Sequence, residues 1–160
     1  MVNKGNQYFF LGGIKLQGFF QRFFALYRPL VSSLNSLLGE YDLSHSLWQV
    51  IFYVKNNGPS SLIDIANWYN IEKPSITRRV QLLQEKLLIE VTAGEDKREK
   101  IIRLTEKGEE LYKACRARIT ELENQAMEGI PENEKSFIFN ALPKIKENIL
   151  NEMGNKNEQA

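Results

Sequence analysis

A helix stop and a helix start lie side by side near the middle of the chain, and this junction constrains the fold more than any other feature. Asn57-Gly58-Pro59 ends one helix, because glycine tolerates the positive φ of a helix terminus and proline forbids continuation. Ser61-Leu62-Ile63-Asp64 then opens another as a capping box, satisfying backbone donors that the first turn leaves free. Ahead of the stop, Ser44 caps a helix whose buried face carries Leu47, Trp48, Val50, Ile51 and Val54. Behind it, the short helix from Leu62 to about Trp68 breaks at Asn70. A third helix enters through Glu72-Lys73-Pro74-Ser75, with proline tolerated in the first turn, and runs to about Lys86. Helices joined by such short turns form a helix-turn-helix unit.

On the third helix Ile76, Val80, Leu83 and Leu87 fall at i, i+4, i+7 and i+11 and share one face. Wound at about 100° per residue, Arg78 points away from that face, with Ser75 and Gln81 on either side and Thr77 and Arg79 on the flanks. Lys73 adds a cation in the first turn. Such a surface suits a DNA major groove: arginine for guanine edges or phosphate, hydroxyls and amides for smaller contacts. An ordinary solvated helix face has the same polarity, so the segment that follows decides. Leu88-Ile89-Glu90-Val91 reads as a strand, Ala93 to Glu99 as a charged hairpin tip, and Lys100 to Leu104 as a second strand. A hairpin directly after a recognition helix is a wing. Lys97 and Arg98 at its tip suit phosphates and a narrow minor groove. Asp96 beside them suits a wing-orienting role, holding Arg98 by a charge-assisted bond; a solvated mixed-charge turn accounts for Asp96 and Glu99 equally.

The flanking segments are helical and broadly apolar. From Ile14 to Leu38, Leu16, Phe19, Phe20, Phe23, Phe24, Tyr27, Leu30, Leu34 and Leu37 recur at steps of three and four, and Pro29 is expected to kink or break the run. So wide a face is more than a small monomer is expected to cover, and favours a subunit interface over core packing within one chain. Thr105 caps a further long helix, with Glu106, Glu109 and Glu110 at its positive end and Leu111, Cys115, Ile119, Leu122 and Ala126 on its stripe. Gly129-Ile130 breaks it. Pro131 opens a last helix carrying Ile138, Leu142, Ile145 and Ile149, which Pro143 is expected to bend.

Charge is divided along the chain. Residues 71–104 hold eight Lys/Arg against six acids, a net of +2, whereas residues 121–160 hold four Lys against eight Glu, a net of −4. That asymmetry suits one module facing phosphate and another turned from it. The apolar runs are interrupted well short of membrane-spanning length, and the polar start lacks the apolar run of a signal peptide, so no membrane partner and a cytoplasmic location are expected. A single cysteine, Cys115, excludes an internal disulfide.

No catalytic or metal constellation is evident: His45 is the sole histidine, and the chain has no glycine-rich phosphate loop, paired-cysteine spacing or nucleophile elbow. The expectation is a protein that is not an enzyme and needs no cofactor or metal. Phe19, Phe20, Phe23, His45 and Trp48 form a candidate ligand pocket whose apolar walls and few polar groups suit an aromatic acid or phenol; core packing explains the same residues without a ligand.

Taken in order, four stretches resemble the MarR family of bacterial transcription regulators over residues 43–108. They are Leu43-Ser44 with Trp48-Gln49-Val50, then Leu62 with Ile65-Ala66, then Pro74-Ser75-Ile76-Thr77-Arg78, and the wing Asp96-Lys97-Arg98 leading to Ile102-Arg103-Leu104-Thr105 and Gly108. The resemblance implies a mainly α fold with a small β-wing (α+β), a winged helix-turn-helix with N- and C-terminal dimerisation helices. It also implies frequent control by small aromatic or phenolic ligands or by cysteine oxidation. Carried over by position, Ser75, Thr77, Arg78 and Arg79 would face the major groove and Arg98 the minor groove. Two departures stand out. The family commonly has glycine where this chain has Leu87, which disfavours a left-handed cap, and the peroxide-sensing branch places its cysteine in the N-terminal region, where this chain has none. Cys115, on the apolar stripe of a later helix, reads as a packing residue.

The expected organisation is residues 1–43 as an N-terminal dimerisation region, 44–104 as the winged helix-turn-helix and 105–160 as C-terminal dimerisation helices. The expected function is a transcription regulator, a repressor that binds a pseudo-palindromic operator in double-stranded DNA as a homodimer and is released by a small aromatic ligand. The alternative is a winged helix that binds another protein; the outward Arg78 and Arg79 with the Lys97-Arg98 tip argue against it.

Overall fold

The computed structural model describes residues 18–94 and 99–157. Six helices and a small antiparallel sheet follow in the order α1 (Phe19–Gly39), α2 (His45–Asn57), β1 (Ser60–Ser61), α3 (Leu62–Tyr69), α4 (Lys73–Glu85), β2 (Ile89–Ala93), β3 (Lys100–Leu104), α5 (Glu106–Ala126) and α6 (Glu132–Asn157). The chain divides into two units, with the boundary between Tyr112 and Lys113, inside α5.

In the first unit the local signals act as read. The Ser44 hydroxyl accepts from the Leu47 N–H, and Leu47, Trp48, Val50, Ile51 and Val54 are the buried face of α2. Gly58 closes α2 with φ 80°, a conformation that suits glycine. Ser61 and Asp64 form the complete capping box of α3. The lobe closes on Leu38, Ile51, Ile65, Ile76, Leu83 and Ile102, all fully buried. Each such side chain contributes about 1.5–3 kcal/mol of transfer free energy.

Three helix ends use one device, in which one N–H beyond the terminus reaches back five positions and the N–H before it reaches back three. Leu43 and Asp42 donate to Leu38 and Gly39 after α1, Ile71 and Asn70 to Ala66 and Asn67 after α3, and Leu88 and Leu87 to Leu83 and Gln84 after α4. The left-handed residues are Asp42, Asn70 and Leu87, none of them glycine. Asn and Asp tolerate this conformation; leucine does so only under strain.

Leu87 therefore corrects two expectations. It does not share the buried stripe of α4: the helix ends at Glu85, the periodicity lapses, and Leu87 is 67% exposed. Nor does it change the turn, since it takes up the left-handed conformation itself, with φ 61°.

The sheet adds an element that the sequence pattern did not announce. Its order is β1-β3-β2, all antiparallel, with Ser60 opposite Ile102 and Ile89 opposite Leu104. The two-residue β1 stitches the wing to the start of α3. Ile102, at the centre of β3, is fully buried while Arg103 faces outward.

α1 begins at Phe19, so the expected residues Ile14 to Leu16 lie outside the described ones, and it continues through Pro29 without a break. Leu37 and Leu38 are buried, but Phe20 is 59% exposed and Phe24, Leu26, Tyr27 and Leu30 are exposed with it. In the second unit, Arg116 bonds Thr120 and pairs with Glu123 along α5, and Gly129, with φ 76°, lies in the break before α6. α6 likewise continues through Pro143, and Phe137, Phe139, Leu142 and Ile149 are exposed along it. No helix among the described residues is long and apolar enough to cross a membrane.

Candidate nucleic-acid interface

α4 presents its two faces as its spacing requires. Ile76, Val80 and Leu83 are buried against the lobe, and Ser75, Arg78 and Gln81 are exposed on the far side. Lys73 is exposed in the first turn. Thr77 is half-buried, its hydroxyl donating to the Lys73 carbonyl at 3.0 Å, which leaves the oxygen's lone pairs as its remaining polarity. Arg79 departs from the expected groove-facing placement. Its Nη1 donates to Gln49 Oε1 on α2 at 3.1 Å, so the guanidinium is drawn inward while that of Arg78 stays out.

Beside α4 an open groove of about 650 Å³ is lined by Ser61, Leu62, Ile63, Lys73, Thr77, Glu99 and Lys100. It lies between the N-terminal turns of α3 and α4 and the base of the wing. Lys73 and Lys100 place positive charge on its walls, which Glu99 offsets in part. Sequence reasoning missed Lys100 and Ser61 as groove residues. The signal that could have exposed them is the pairing of β1 with β3, which brings position 61 opposite position 101. Asp96, Lys97 and Arg98 lie outside the described residues.

The five residues of the candidate ligand pocket do not meet within one chain. Phe19, Phe20 and Phe23 form ring contacts with each other on α1, at 5.7 and 6.4 Å between centroids. Trp48 instead stacks on Tyr112 at 5.3 Å with planes 9° apart, and Phe52 packs beside both. His45 lies at the opposite end of α1 from the phenylalanines, its backbone N–H donating to Asn35 Oδ1 at 2.8 Å. With a rise of about 1.5 Å per residue, the helix separates Phe23 from Asn35 by roughly 18 Å. Burial, then the charge of Arg79, holds the His45 imidazole below its ordinary pKa. Burial pushes the Tyr69 hydroxyl up to about 12 and the Cys115 thiol up to about 11. Cys115 is buried, as a packing residue is. Among the described residues no group of three or more potential ligands could hold a metal ion.

A family model described as a winged helix DNA-binding domain matches residues 43–108. A regulator of the helix-turn-helix type from Staphylococcus aureus strain Mu50 is 30% identical over 142 residues, covering 87% of this chain and 97% of its own. The structure of Staphylococcus aureus MarR in complex with salicylate and kanamycin superposes with a TM-score of 0.76 at 30% identity, over 85% of this chain and 93% of that one. The chain belongs to the MarR family. A MarR/EmrR family regulator from Acinetobacter sp. ADP1 gives a TM-score of 0.75 at 27% identity, covering 85% of this chain and 98% of that one. The protein is thus a MarR-family transcription regulator whose DNA-binding domain is the winged helix-turn-helix described above. In this family member the left-handed turn after α4 is built on leucine.

Proposed function

We propose that this protein is a repressor that binds a pseudo-palindromic operator as a two-fold dimer and is released by a small aromatic acid or phenol. The observation that carries the DNA half is the exposure of Arg78 opposite the buried stripe of Ile76, Val80 and Leu83, with Ser75 and Gln81 beside it. A guanidinium so placed reaches a base edge in the major groove, and Lys73 and Lys100 supply cations for the backbone. Lys97 and Arg98 are proposed to reach the flanking minor groove, with Asp96 orienting Arg98, on sequence alone.

Dimerisation is supported by apolar faces that each unit leaves open, Phe20 to Leu30 on α1 and Phe137 to Leu150 on α6. A two-fold pair of identical chains covers such faces and places two reading helices on two half-sites. The N- and C-terminal helices are accordingly assigned to dimerisation and the lobe between them to DNA. The protein acts where the chromosome is, in the cytoplasm of a bacterial cell. Release by an aromatic ligand is supported by similarity to the Staphylococcus aureus MarR that was solved with salicylate. The ligand must prefer one spacing of the two lobes for its binding to change DNA affinity.

The test is selection of duplexes from a random-sequence library by the purified protein, followed by sedimentation of the free protein and the complex. A recovered two-fold motif bound by a dimer supports the reading. Equal affinity for all duplexes, or none, turns it toward a protein-binding winged helix, and a stable monomer at micromolar concentration overturns the dimer.

A further inference from the structure

Gln49 holds two other elements of the lobe at once. Its side-chain oxygen accepts from Arg79 Nη1 at 3.1 Å, and its main-chain carbonyl accepts from the Tyr69 hydroxyl at 3.0 Å. One residue of α2 therefore grips the last residue of α3 and the middle of α4. His45 lies one helical turn earlier on the same side of α2 and feels the charge of Arg79. Arg78 and Arg79 are adjacent, so a modest roll of α4 about its axis would exchange which of them faces outward. A bond from the flank of α4 to α2 opposes that roll, and the guanidinium, held in place by a neutral amide, keeps its charge.

We infer that Gln49 is a positioning residue: it holds Arg79 as a strut between α2 and the recognition helix, fixing the roll that leaves Arg78 outward. The inference rests on the DNA-binding reading above. It reassigns Arg79 from a groove contact to a support, and it makes a residue of α2 a determinant of sequence discrimination.

Three measurements test it. In the free protein the single histidine gives a clean proton NMR titration. Arg79→Met removes the nearby charge, and Gln49→Ala releases the guanidinium that carries it. Both are expected to move the His45 pKa toward its ordinary value. On a random-sequence duplex, removal of one phosphate-binding cation lowers the slope of log affinity against log salt by about 0.9. Arg79→Met is expected to leave the wild-type slope unchanged. On a duplex selected by the wild-type protein, Gln49→Ala, Arg79→Met and the double variant are expected to lose the same several-fold discrimination against mismatched duplexes. Gln49→Glu, which keeps the acceptor and the fold, is expected to restore it. A wild-type His45 titration and wild-type discrimination in Gln49→Ala would overturn the inference, as would a reduced salt slope in Arg79→Met. Failure of the wild-type protein to bind any duplex would overturn the DNA reading and the discrimination role with it, while the titration still decides whether Gln49 holds Arg79.

Discussion

The Thr105 hydroxyl donates to the Leu87 carbonyl at 2.7 Å while accepting from the Gly108 N–H at 3.0 Å. The cap of α5 is thereby also the clasp on the turn that follows the recognition helix. Thr105 N–H adds a bond to the Leu88 carbonyl at 3.1 Å, and Lys107 Nζ reaches the Lys86 carbonyl at 2.9 Å. Three successive carbonyls of the turn are thus satisfied from the start of α5. Thr105→Ala is expected to cost about 0.5–2 kcal/mol, the range for removal of a helix cap. Thr105→Ser, which keeps the hydroxyl, is expected to lose much less. Urea unfolding midpoints measure both.

Leu87 pays for its conformation without burying its side chain. A leucine in the left-handed region costs about 1–2 kcal/mol, and the extra unfolded-state freedom of glycine returns about 0.5–1 kcal/mol of any relief. Leu87→Gly is therefore expected to raise stability by about 0.5–1 kcal/mol. A lowered urea midpoint would show that the exposed side chain has a role in the fold that the strain argument omits.

At Gly108 the opposite result is expected. A Cβ there would fall inside the van der Waals envelope of the Leu88 carbonyl oxygen, which is backbone and cannot swing aside. Gly108→Ala is expected to destabilise by about 1–3 kcal/mol, the range of overpacking. Thermal unfolding gives the value, and a neutral result would mean that α5 enters the lobe with more freedom than this contact allows.

The winged helix was legible because its signals are local. Ser44, the Asn57-Gly58-Pro59 stop and the Ser61–Asp64 box each act within four residues of themselves, and the structure uses them where they stand. What escaped depends on distant partners. β1 is two serines with no strand pattern, and only Ile101 and Ile102 opposite make them a strand. Arg79 read as an outward cation because helical spacing reports its flank but not the amide waiting on α2. Leu87 read as buried because a period carries no information on where its helix stops. Within one chain the pocket residues are held apart by geometry: Phe23 lies near the start of α1 and His45 just past its end, with the length of the helix between them.

Arg78→Ala is expected to remove a contact worth about 1–3 kcal/mol per half-site and to relax discrimination mainly at one position in each. Binding of wild type and variant to a duplex library checks this. Unchanged affinity and preference at every site would show that another residue reads the base.

Stability is expected to fall in alkali through Cys115. Burial raises the folded thiol from its ordinary 9.0 to about 11, so between those values the unfolded chain gives up a proton that the folded one keeps. The contribution is whole below pH 9 and is lost as pH rises toward 11. Urea midpoints across that window should decline more steeply in the wild type than in Cys115→Ala. Equal slopes would place the thiol in contact with solvent.

The pairing of Ser60 with Ile102 implies an expected order of events during folding. A wing hairpin closes a short loop and can form early, but its third strand lies about 40 residues upstream, and joining strands so far apart carries a loop-closure cost that grows with the logarithm of the separation. That cost is met only when α3 and α4, which occupy the intervening chain, have already folded and brought the two strands within reach. The wing is thus expected to acquire its full sheet last, after the reading helix is in place. Hydrogen exchange at the β1–β3 ladder is then expected to follow opening of the whole lobe; faster exchange there would show that the two-residue edge strand β1 frays on its own.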